Sequence, residues 1–373
     1  MIYADNAATT RLDSEAFEAM KYFLTEDYGN ASQPYSYARK AKKALRDARS
    51  VIAGCIGALP EEIYFTSGGT ESDNWAIKAL PDKNNRATII TSEIEHHAVL
   101  HACSALERTG RKVKYLPVDS YGLVVPAALE QAMTKDVKLV SIMLVNNEIG
   151  TIEPIARLAA IAHQHGAVFH TDAVQAVGHV PIDVKKLGVD MLSASGHKFN
   201  GPKGIGFFYI RKGTEIYPYA DGGAQEFGLR AGTENVASIA AMAVALKNNC
   251  QQMAEIEARL LNIEKVFLQI LDDSGLSYLR NGAPEHVPGN INISFKGADG
   301  EMLLHRLDLK GICISTGSAC DSKNTQVSHV IKAIGVPAEY AQGTVRISFG
   351  RYNTEEEAVE VARALVSVLK SRG

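Results

Sequence analysis

A lysine between two apolar segments is the first candidate for chemistry in this sequence. Lys198 follows the Ser-Ala-Ser-Gly stretch 193–196 and lies between the apolar runs 189–192 and 205–210. Both runs are short and bounded by turn residues, which predicts buried strands. A bare ammonium is costly to bury there, whereas a desolvated amine has a lowered pKa and can form a Schiff base. The alternative is a surface lysine whose ammonium reaches water.

A glycine turn between a predicted strand and a predicted helix is a candidate anion site. Residues 67–70 are Ser-Gly-Gly-Thr; the strand-like run 62–66 precedes them and a helical pattern follows to about residue 80. Glycines let backbone N–H groups approach an anion, the helix N-terminus adds positive partial charge, and the Thr70 hydroxyl can donate another hydrogen bond. The stretch is neither a Walker A loop nor G-x-G-x-x-G. The alternative is a plain capped helix.

An aspartate at the end of a predicted central strand is the third candidate. Asp172 directly follows the strand-like run 168–171. Open α/β sheets bind ligands at the carboxyl ends of their strands. A carboxylate there can hold a protonated ring nitrogen and so make a heteroaromatic cofactor an electron sink. The alternative is an N-cap for the following segment. Together, an anion site, a partner for a pyridinium and a Schiff-base amine meet the needs of pyridoxal phosphate.

The sequence resembles the cysteine desulfurases of the NifS/IscS type, which are fold type I pyridoxal-phosphate enzymes. The resemblance covers essentially the whole chain, with the motifs in the family's order, and its discriminating pair is Gly-Ser-Ala-Cys with Ser-Gly-His-Lys. The stretches that carry it are 3–10 (YADNAATT), 65–74 (FTSGGTESDN), 95–96 (EH), 145–150 (VNNEIG), 172–175 (DAVQ), 195–198 (SGHK), 230–233 (RAGT), 317–320 (GSAC) and 345–351 (VRISFGR).

The resemblance implies roles for individual residues. Lys198 would carry the cofactor as a Schiff base and move the substrate proton, and Cys320 would receive the sulfur as a persulfide. Arg346 would bind the substrate carboxylate, since its planar fork suits that group. His96 would stack on the cofactor ring and take part in catalysis. The implied cofactor contacts are Gly69, Thr70, His96, Asn147, Asp172, Gln175, Ser195, His197 and Lys198, with Thr233 contributed by the other subunit and Asn147 also beside the substrate.

The activity that the resemblance implies is conversion of L-cysteine to L-alanine in a homodimer. The persulfide sulfur would pass to an acceptor such as an iron–sulfur scaffold or a thiolation enzyme. A selenocysteine lyase, or another enzyme of fold type I, is the alternative. One region departs from the family's usual pattern, because Ala31, Gln33, Tyr35 and Ala38 replace residues common in relatives near the active-site entrance.

Bulk properties exclude several classes of protein. The 373 residues carry a net charge of -3, which does not favour an extended nucleic-acid surface. No apolar run approaches the length of a membrane span. The five cysteines form no C-x-x-C pair, and the sequence begins without the pattern of a signal peptide. We therefore expect no metal site, no membrane or nucleic-acid partner, and a reducing cytoplasm.

The order of predicted elements indicates an α/β fold. Strand-like and helical runs alternate from residue 62 to residue 210, which predicts a mostly parallel sheet with helices on both faces. The resemblance implies that this sheet has seven strands and that a smaller α/β domain follows. We expect a large domain over 15–250 and a small domain from 1–14 and 251–373. The helical pattern over 234–273 is interrupted by Lys247-Asn248-Asn249, which predicts two helices or a bent one.

Overall fold

The computed structural model describes residues 1–81, 87–316 and 327–371. Within these ranges the α-helices are α1 Ser14–Thr25, α2 Arg39–Ile56, α3 Gly69–Lys78, α4 His97–Glu107, α5 Pro126–Ala132, α6 Ile155–Gln164, α7 Val184–Leu187, α8 Val236–Asp273, α9 Gly300–Asp308, α10 His329–Ala333, α11 Ala338–Ala341 and α12 Glu355–Lys370. The strands are β1 Ile2–Tyr3, β2 Ile63–Thr66, β3 Thr88–Ser92, β4 Val113–Leu116, β5 Val137–Ser141, β6 Val168–Asp172, β7 Met191–Ser195, β8 Gly206–Ile210, β9 Tyr278–Asn281, β10 Asn290–Phe295, β11 Ile312–Cys313 and β12 Thr344–Ser348.

The largest sheet confirms the predicted fold class. In the described residues it has seven strands in the order β2-β8-β7-β6-β5-β3-β4. The neighbours from β7 to β4 pair in parallel, and β8 runs antiparallel to both β7 and β2. The carboxyl ends of β3, β5, β6 and β7 therefore meet at one edge, where an α/β sheet places its ligand.

Both faces of this sheet are buried, which explains why its strands read as continuous apolar runs. Leu192 and Phe207 pack into a core cluster with α2, α6 and the first part of α8. Met191 and Phe208, one residue away on the same strands, pack into a second cluster with α3 and α4. Neighbouring residues of a strand point to opposite faces of the sheet, and here both sets are apolar. Helices must therefore cover both faces.

A second layer of structure has its own core. The antiparallel sheet β12-β10-β9 and the parallel pair β1-β11 pack with α9, α12 and the later part of α8. Ile2 and Ala4 of the N-terminal arm belong to this cluster, although they are far in sequence from its other members. The division into a large domain over 15–250 and a small domain from 1–14 and 251–373 stays a prediction.

Of the two alternatives predicted for 234–273, two separate helices is wrong, because α8 is one continuous helix. Its polar interruption is satisfied by tertiary contacts instead of a turn. Asn249 donates to the carbonyl of Phe199 at 2.6 Å, and Asn248 donates to Glu15 at 3.1 Å. The sequence pattern does not predict α1, although the side chain of its N-cap Asp13 accepts hydrogen bonds from two backbone N–H groups at the start of that helix.

Strand β7 begins later than its apolar run predicts and continues through small residues to Ser195. Close packing explains the small residues. A Cβ on Gly206, which pairs with Ser195, would lie 2.4 Å from the carbonyl oxygen of Ala194 and 2.7 Å from the Cα of Gly68. The backbones of β7, β8 and the 67–70 turn therefore touch one another directly.

Two glycine-to-alanine changes should have opposite effects on stability, because Gly206 lies in this contact and Gly54 does not. Gly206→Ala should lower the free energy of unfolding by about 1–3 kcal/mol, because the new methyl group meets backbone on two sides. Gly54→Ala, on an exposed position of α2 where a Cβ meets nothing within 4 Å, should raise it by about 0.5–1 kcal/mol. Urea unfolding midpoints at one protein concentration measure both. A wild-type midpoint for Gly206→Ala would contradict the close contact.

Candidate active site

A cavity of about 290 Å³ opens at the carboxyl edge of the large sheet. Ten of the residues proposed from the sequence line it. They are Gly69, Thr70, His96, Asn147, Asp172, Gln175, Ser195, His197, Lys198 and Arg346. They come from six different segments of the chain, so the fold brings together residues that no local pattern connects.

The start of α3 forms one end of the cavity. Gly68 has a φ of 150°, a value that favours glycine, and turns the chain from β2 into the helix. A Cβ on Gly69 would lie 2.5 Å from the Cγ2 of Val174, so only glycine lets the backbone pass here. Gly69 and Thr70, in this first turn, line the cavity together with Ser195 and His197, and the start of a helix is suited to binding a phosphate.

Asp172 ends β6 with a buried carboxylate. Its Oδ1 accepts from the N–H of Val174 at 2.9 Å, so the local capping contact that the sequence left open is also present. Burial raises the pKa of Asp172 to about 6, while the Val174 hydrogen bond and the charge of Lys198 lower it. The side chain is therefore mainly a carboxylate at neutral pH, in a position to bind a protonated ring nitrogen.

Two histidines of the cavity are neutral. His96 caps α4, and its Nδ1 accepts from the N–H of Ala98 at 3.1 Å, which places the ring proton on Nε2. Burial, with the charge of Lys198, lowers the pKa of His96 to about 4. Burial lowers the pKa of His197 to about 4 as well. A neutral imidazole can stack on an aromatic ring without carrying a charge into the cavity.

Lys198 lies at the end of a short 3₁₀-helix, Gly196–Lys198, that follows β7. Its ammonium donates to the carbonyl oxygens of Ala7 at 2.6 Å and Ala8 at 2.9 Å. Gln175 donates to the same Ala7 oxygen at 2.9 Å. The amine therefore lines the cavity under the N-terminal arm, and the surface-lysine alternative does not hold.

Arg346 brings the small antiparallel sheet to the cavity. It is 3% exposed, and its guanidinium donates to Asp5 Oδ1 at 2.8 Å and to the carbonyl of Asn147 at 2.8 Å. Its Nε is buried and has no hydrogen-bond partner among the described residues. A buried donor without a partner is costly, and a ligand carboxylate would satisfy it.

Two of the proposed residues are not among the described residues that line the cavity. Thr233 is exposed, in a segment that Arg230 anchors to the start of α3 through a 2.9 Å ion pair with Glu71. Cys320 lies outside the described residues, as does the whole stretch 317–326.

Sequence reasoning missed several residues that line the cavity. Asp73 lies inside the 65–74 motif with no role implied for it, and His97 follows the 95–96 motif. The ring of His97 stacks on His101 and lies 5.0 Å from that of His329, centroid to centroid.

The described residues contain no group of His, Cys, Asp or Glu side chains that could hold a metal ion. Among the same residues, no helix has both the length and the apolar character needed to cross a membrane.

The donor set fits pyridoxal phosphate. The tight glycine turn at α3 offers an anion site, Asp172 offers a carboxylate, and Lys198 offers an amine, all on one cavity. The neutral ring of His96 adds a surface for stacking. Each need of the cofactor therefore has a residue of the right chemistry at the same sheet edge.

Comparisons with known proteins agree with this chemistry. Residues 2–361 match the family "Aminotransferase class-V". The cysteine desulfurase IscS of Methanosarcina thermophila is 47% identical over 371 residues, which cover 99% of this chain and 92% of that protein.

Solved structures give the same result. One described as a NifS-like protein has a TM-score of 0.93 and 38% identity, with 99% of each chain covered. Another, described as SspA in complex with cysteine, has a TM-score of 0.84 and 36% identity, and covers 95% of this chain and 100% of that one. The chain belongs to the class-V aminotransferase family and, within it, to the cysteine desulfurases.

Proposed function

We propose that this chain is a pyridoxal-phosphate-dependent cysteine desulfurase that converts L-cysteine to L-alanine and leaves the sulfur on Cys320. The observation that carries the proposal is the single cavity that holds Lys198, Asp172, His96 and Arg346 at the edge of the sheet. Family membership supplies the reaction class. Each residue role below is part of the proposal.

The proposed cofactor contacts follow the geometry of the cavity. Backbone N–H groups at Gly69 and Thr70, with Ser195 and His197, bind the phosphate, and Asp172 holds the ring nitrogen in its protonated form. When bound, the cofactor supplies an electron-withdrawing ring that accepts the electron pair left by the substrate α-proton. Gln175 faces the same space and would bind the ring oxygen.

Arg346 is proposed to select the substrate by its carboxylate. The ion pair with Asp5 and the bond to the Asn147 carbonyl fix the plane of the guanidinium before substrate arrives. The guanidinium lines the cavity and would bind the incoming carboxylate through its planar fork. The amide of Asn147 lies beside it.

Lys198 is proposed to move the α-proton. The two carbonyl oxygens that hold its ammonium fix the position of Nζ at the cavity wall. A general base needs such a fixed position within reach of the proton that it takes. The neutral His96, with its proton on Nε2, limits the positive charge around that amine.

The sulfur step balances without an external oxidant. The Cys320 thiolate attacks the sulfur of the substrate, an S–S bond forms, and the substrate Cβ–S bond breaks. The electron pair of the broken bond stays with the carbon, which takes a proton and becomes the methyl group of alanine. The enzyme is left with a persulfide that an acceptor can take.

Three further features belong to the proposal. The chain acts as a homodimer whose partner supplies Thr233, because Thr233 is exposed here on a segment that is tied to the phosphate end of the cavity. The persulfide goes to an acceptor such as an iron–sulfur scaffold. The protein works in the cytoplasm, where thiols stay reduced.

The first prediction from the proposed function concerns Lys198. Lys198→Ala should lower cysteine turnover by about 10²–10⁴-fold, since it removes the group that moves the proton. Borohydride treatment of the holoenzyme followed by peptide mapping should find the cofactor fixed on Lys198. Lys203→Ala, at an exposed lysine five positions on, is the matched control and should keep both properties. Label on another lysine would refute the assignment.

The second prediction concerns shared sites in the dimer. Lys198→Ala and Thr233→Ala subunits should each be impaired, and their hybrid dimer should regain activity because it contains one complete site. Differently tagged subunits, purified as hybrids, measure this. Hybrids no more active than the two parents would show that Thr233 does not serve the neighbouring subunit.

The third prediction tests the function itself. Cys320→Ser should bind L-cysteine and perturb the absorbance of the bound cofactor, yet form almost no alanine, sulfide or persulfide, because the attacking thiolate is missing. Cys313→Ser, on β11, is the matched control and should form alanine at the wild-type rate. Alanine formation by Cys320→Ser at a near-normal rate would overturn the mechanism and indicate direct elimination, as in a lyase.

A further inference from the structure

A second buried aspartate lines the cavity next to the one that faces the cofactor. Asp73, on α3, is 1% exposed and shares the cavity with Asp172, which is 4% exposed. The Oδ1 of Asp73 has no hydrogen-bond partner among the described residues. Two buried carboxyl groups that line one cavity are costly to ionise together. Their burial favours the form in which one of them holds a proton.

The groups around Asp73 offer it no counter-charge. His170, on β6, places Nε2 3.8 Å from Asp73 Oδ1 and 2.9 Å from the hydroxyl of Ser193. Burial lowers the pKa of His170 to about 3, so its ring is neutral. Its Nδ1 lies 2.9 Å from the hydroxyl of Ser141. The 3.8 Å approach of His170 to Asp73 is therefore not an ion pair, because the ring carries no charge.

The neutral ring of His170 is satisfied by two serines. The hydroxyls of Ser193 and Ser141 lie 2.9 Å from its Nε2 and Nδ1, so one ring nitrogen donates and the other accepts. His170 therefore needs no charge, and it leaves Asp73 without an ion pair.

The charges that face the two carboxyls separate their states. Asp172 has the N–H of Val174 and the ammonium of Lys198 to favour its ionised form. Burial, Asp172 and Glu95 all oppose ionisation of Asp73, and only the Ser193 hydroxyl favours it. Burial first, and then Asp172, raises the pKa of Asp73 well above its usual range. The proton therefore belongs on Asp73.

We infer that Asp73 is a positioning residue that stays a neutral carboxylic acid beside Asp172, so that Asp172 alone carries the negative charge under the cofactor ring. The link to the ring rests on the proposed function, through the role of Asp172. The charge state of Asp73 does not, because it follows from the geometry of the chain alone.

A neutral Asp73 has a consequence for stability. In the unfolded chain an aspartate is ionised above about pH 4. If the folded protein keeps Asp73 protonated, it binds one more proton than the unfolded chain, and stability falls as the pH rises toward the raised pKa. A side chain that is neutral at every pH and has the same shape, such as asparagine, removes that loss.

The first arm of the test compares Asp73→Asn with Asp190→Asn in the holoenzyme. Asp190 is a buried aspartate with partners, since it accepts from the N–H of Phe169 at 2.7 Å and lies 2.7 Å from His163 Nε2 and 3.1 Å from Arg211. We expect Asp73→Asn to melt above the wild type by about 2 °C or more near pH 8, with a smaller gain near pH 5. Asp190→Asn should melt below the wild type. A melting temperature for Asp73→Asn below the wild type near pH 8 would overturn the inference.

The second arm follows the absorbance of the bound cofactor as a function of pH. Removing an ionised neighbour would shift its titration midpoint by about one unit or more, whereas replacing a neutral acid by an amide should shift it by less than about 0.3 unit. Asp172→Asn provides the comparison and should change the spectrum. A shift of a unit or more in Asp73→Asn counts against a neutral Asp73.

A third arm needs no substitution at position 73. Infrared spectra of the wild-type holoenzyme, with its aspartate carboxyl groups labelled with ¹³C, should keep the band of a protonated aspartic acid near pH 8, where exposed aspartates are ionised. The absence of that band would refute the inference even if Asp73→Asn did not fold. None of the stability or infrared results depends on desulfurase activity, so an inactive enzyme with this band would refute the proposed function and leave the inference standing.

Discussion

The ammonium of Lys198 is held by backbone carbonyl oxygens of the N-terminal arm, and much of the site depends on this contact. Ala7 and Ala8 accept from the amine, while Asp5, two residues earlier, pairs with Arg346. The arm is itself fixed to the small sheet, because the N–H of Ala7 donates to the hydroxyl of Ser348 at 2.9 Å. A few residues of extended chain thus join the large sheet, which supplies the amine, to the small sheet, which supplies the arginine.

The contacts of the N-terminal arm also explain where charge lies in the cavity. The cavity contains two fixed cations, Lys198 and Arg346, and each has oxygen atoms of the arm as partners. The neighbouring histidines His96 and His197 are kept neutral by burial and by Lys198. Positive charge is therefore concentrated where an amine and a carboxylate clamp are needed. A proton on Asp73 would leave Asp172 as the charged member of that aspartate pair.

The sequence could predict those parts of the site that lie where strands end. Lys198 and Asp172 follow apolar runs, and in a parallel sheet the ends of such runs meet at one edge. The family resemblance, more than spacing, supplied Arg346 and Asn147. Ala7 could not be found as a site residue, because a backbone carbonyl has no signature in the side-chain sequence. Asp73 could not be given a role, since its state depends on its own burial and then on the charge of Asp172, about 100 positions away in the chain.

The same limit applies to α8. Lys247-Asn248-Asn249 has the composition of a helix break, and local propensity was a fair reason to expect one. Asn249 instead donates to the carbonyl of Phe199, the residue after Lys198, so the helix continues through its polar stretch and supports the backbone of the lysine. The first part of α8 packs on the large core and the last part on the small one. One uninterrupted helix therefore holds the backbone of the lysine segment through Asn249 and Phe199. The N-terminal arm holds the amine through the carbonyl oxygens of Ala7 and Ala8. These two sets of contacts together determine the position of Nζ.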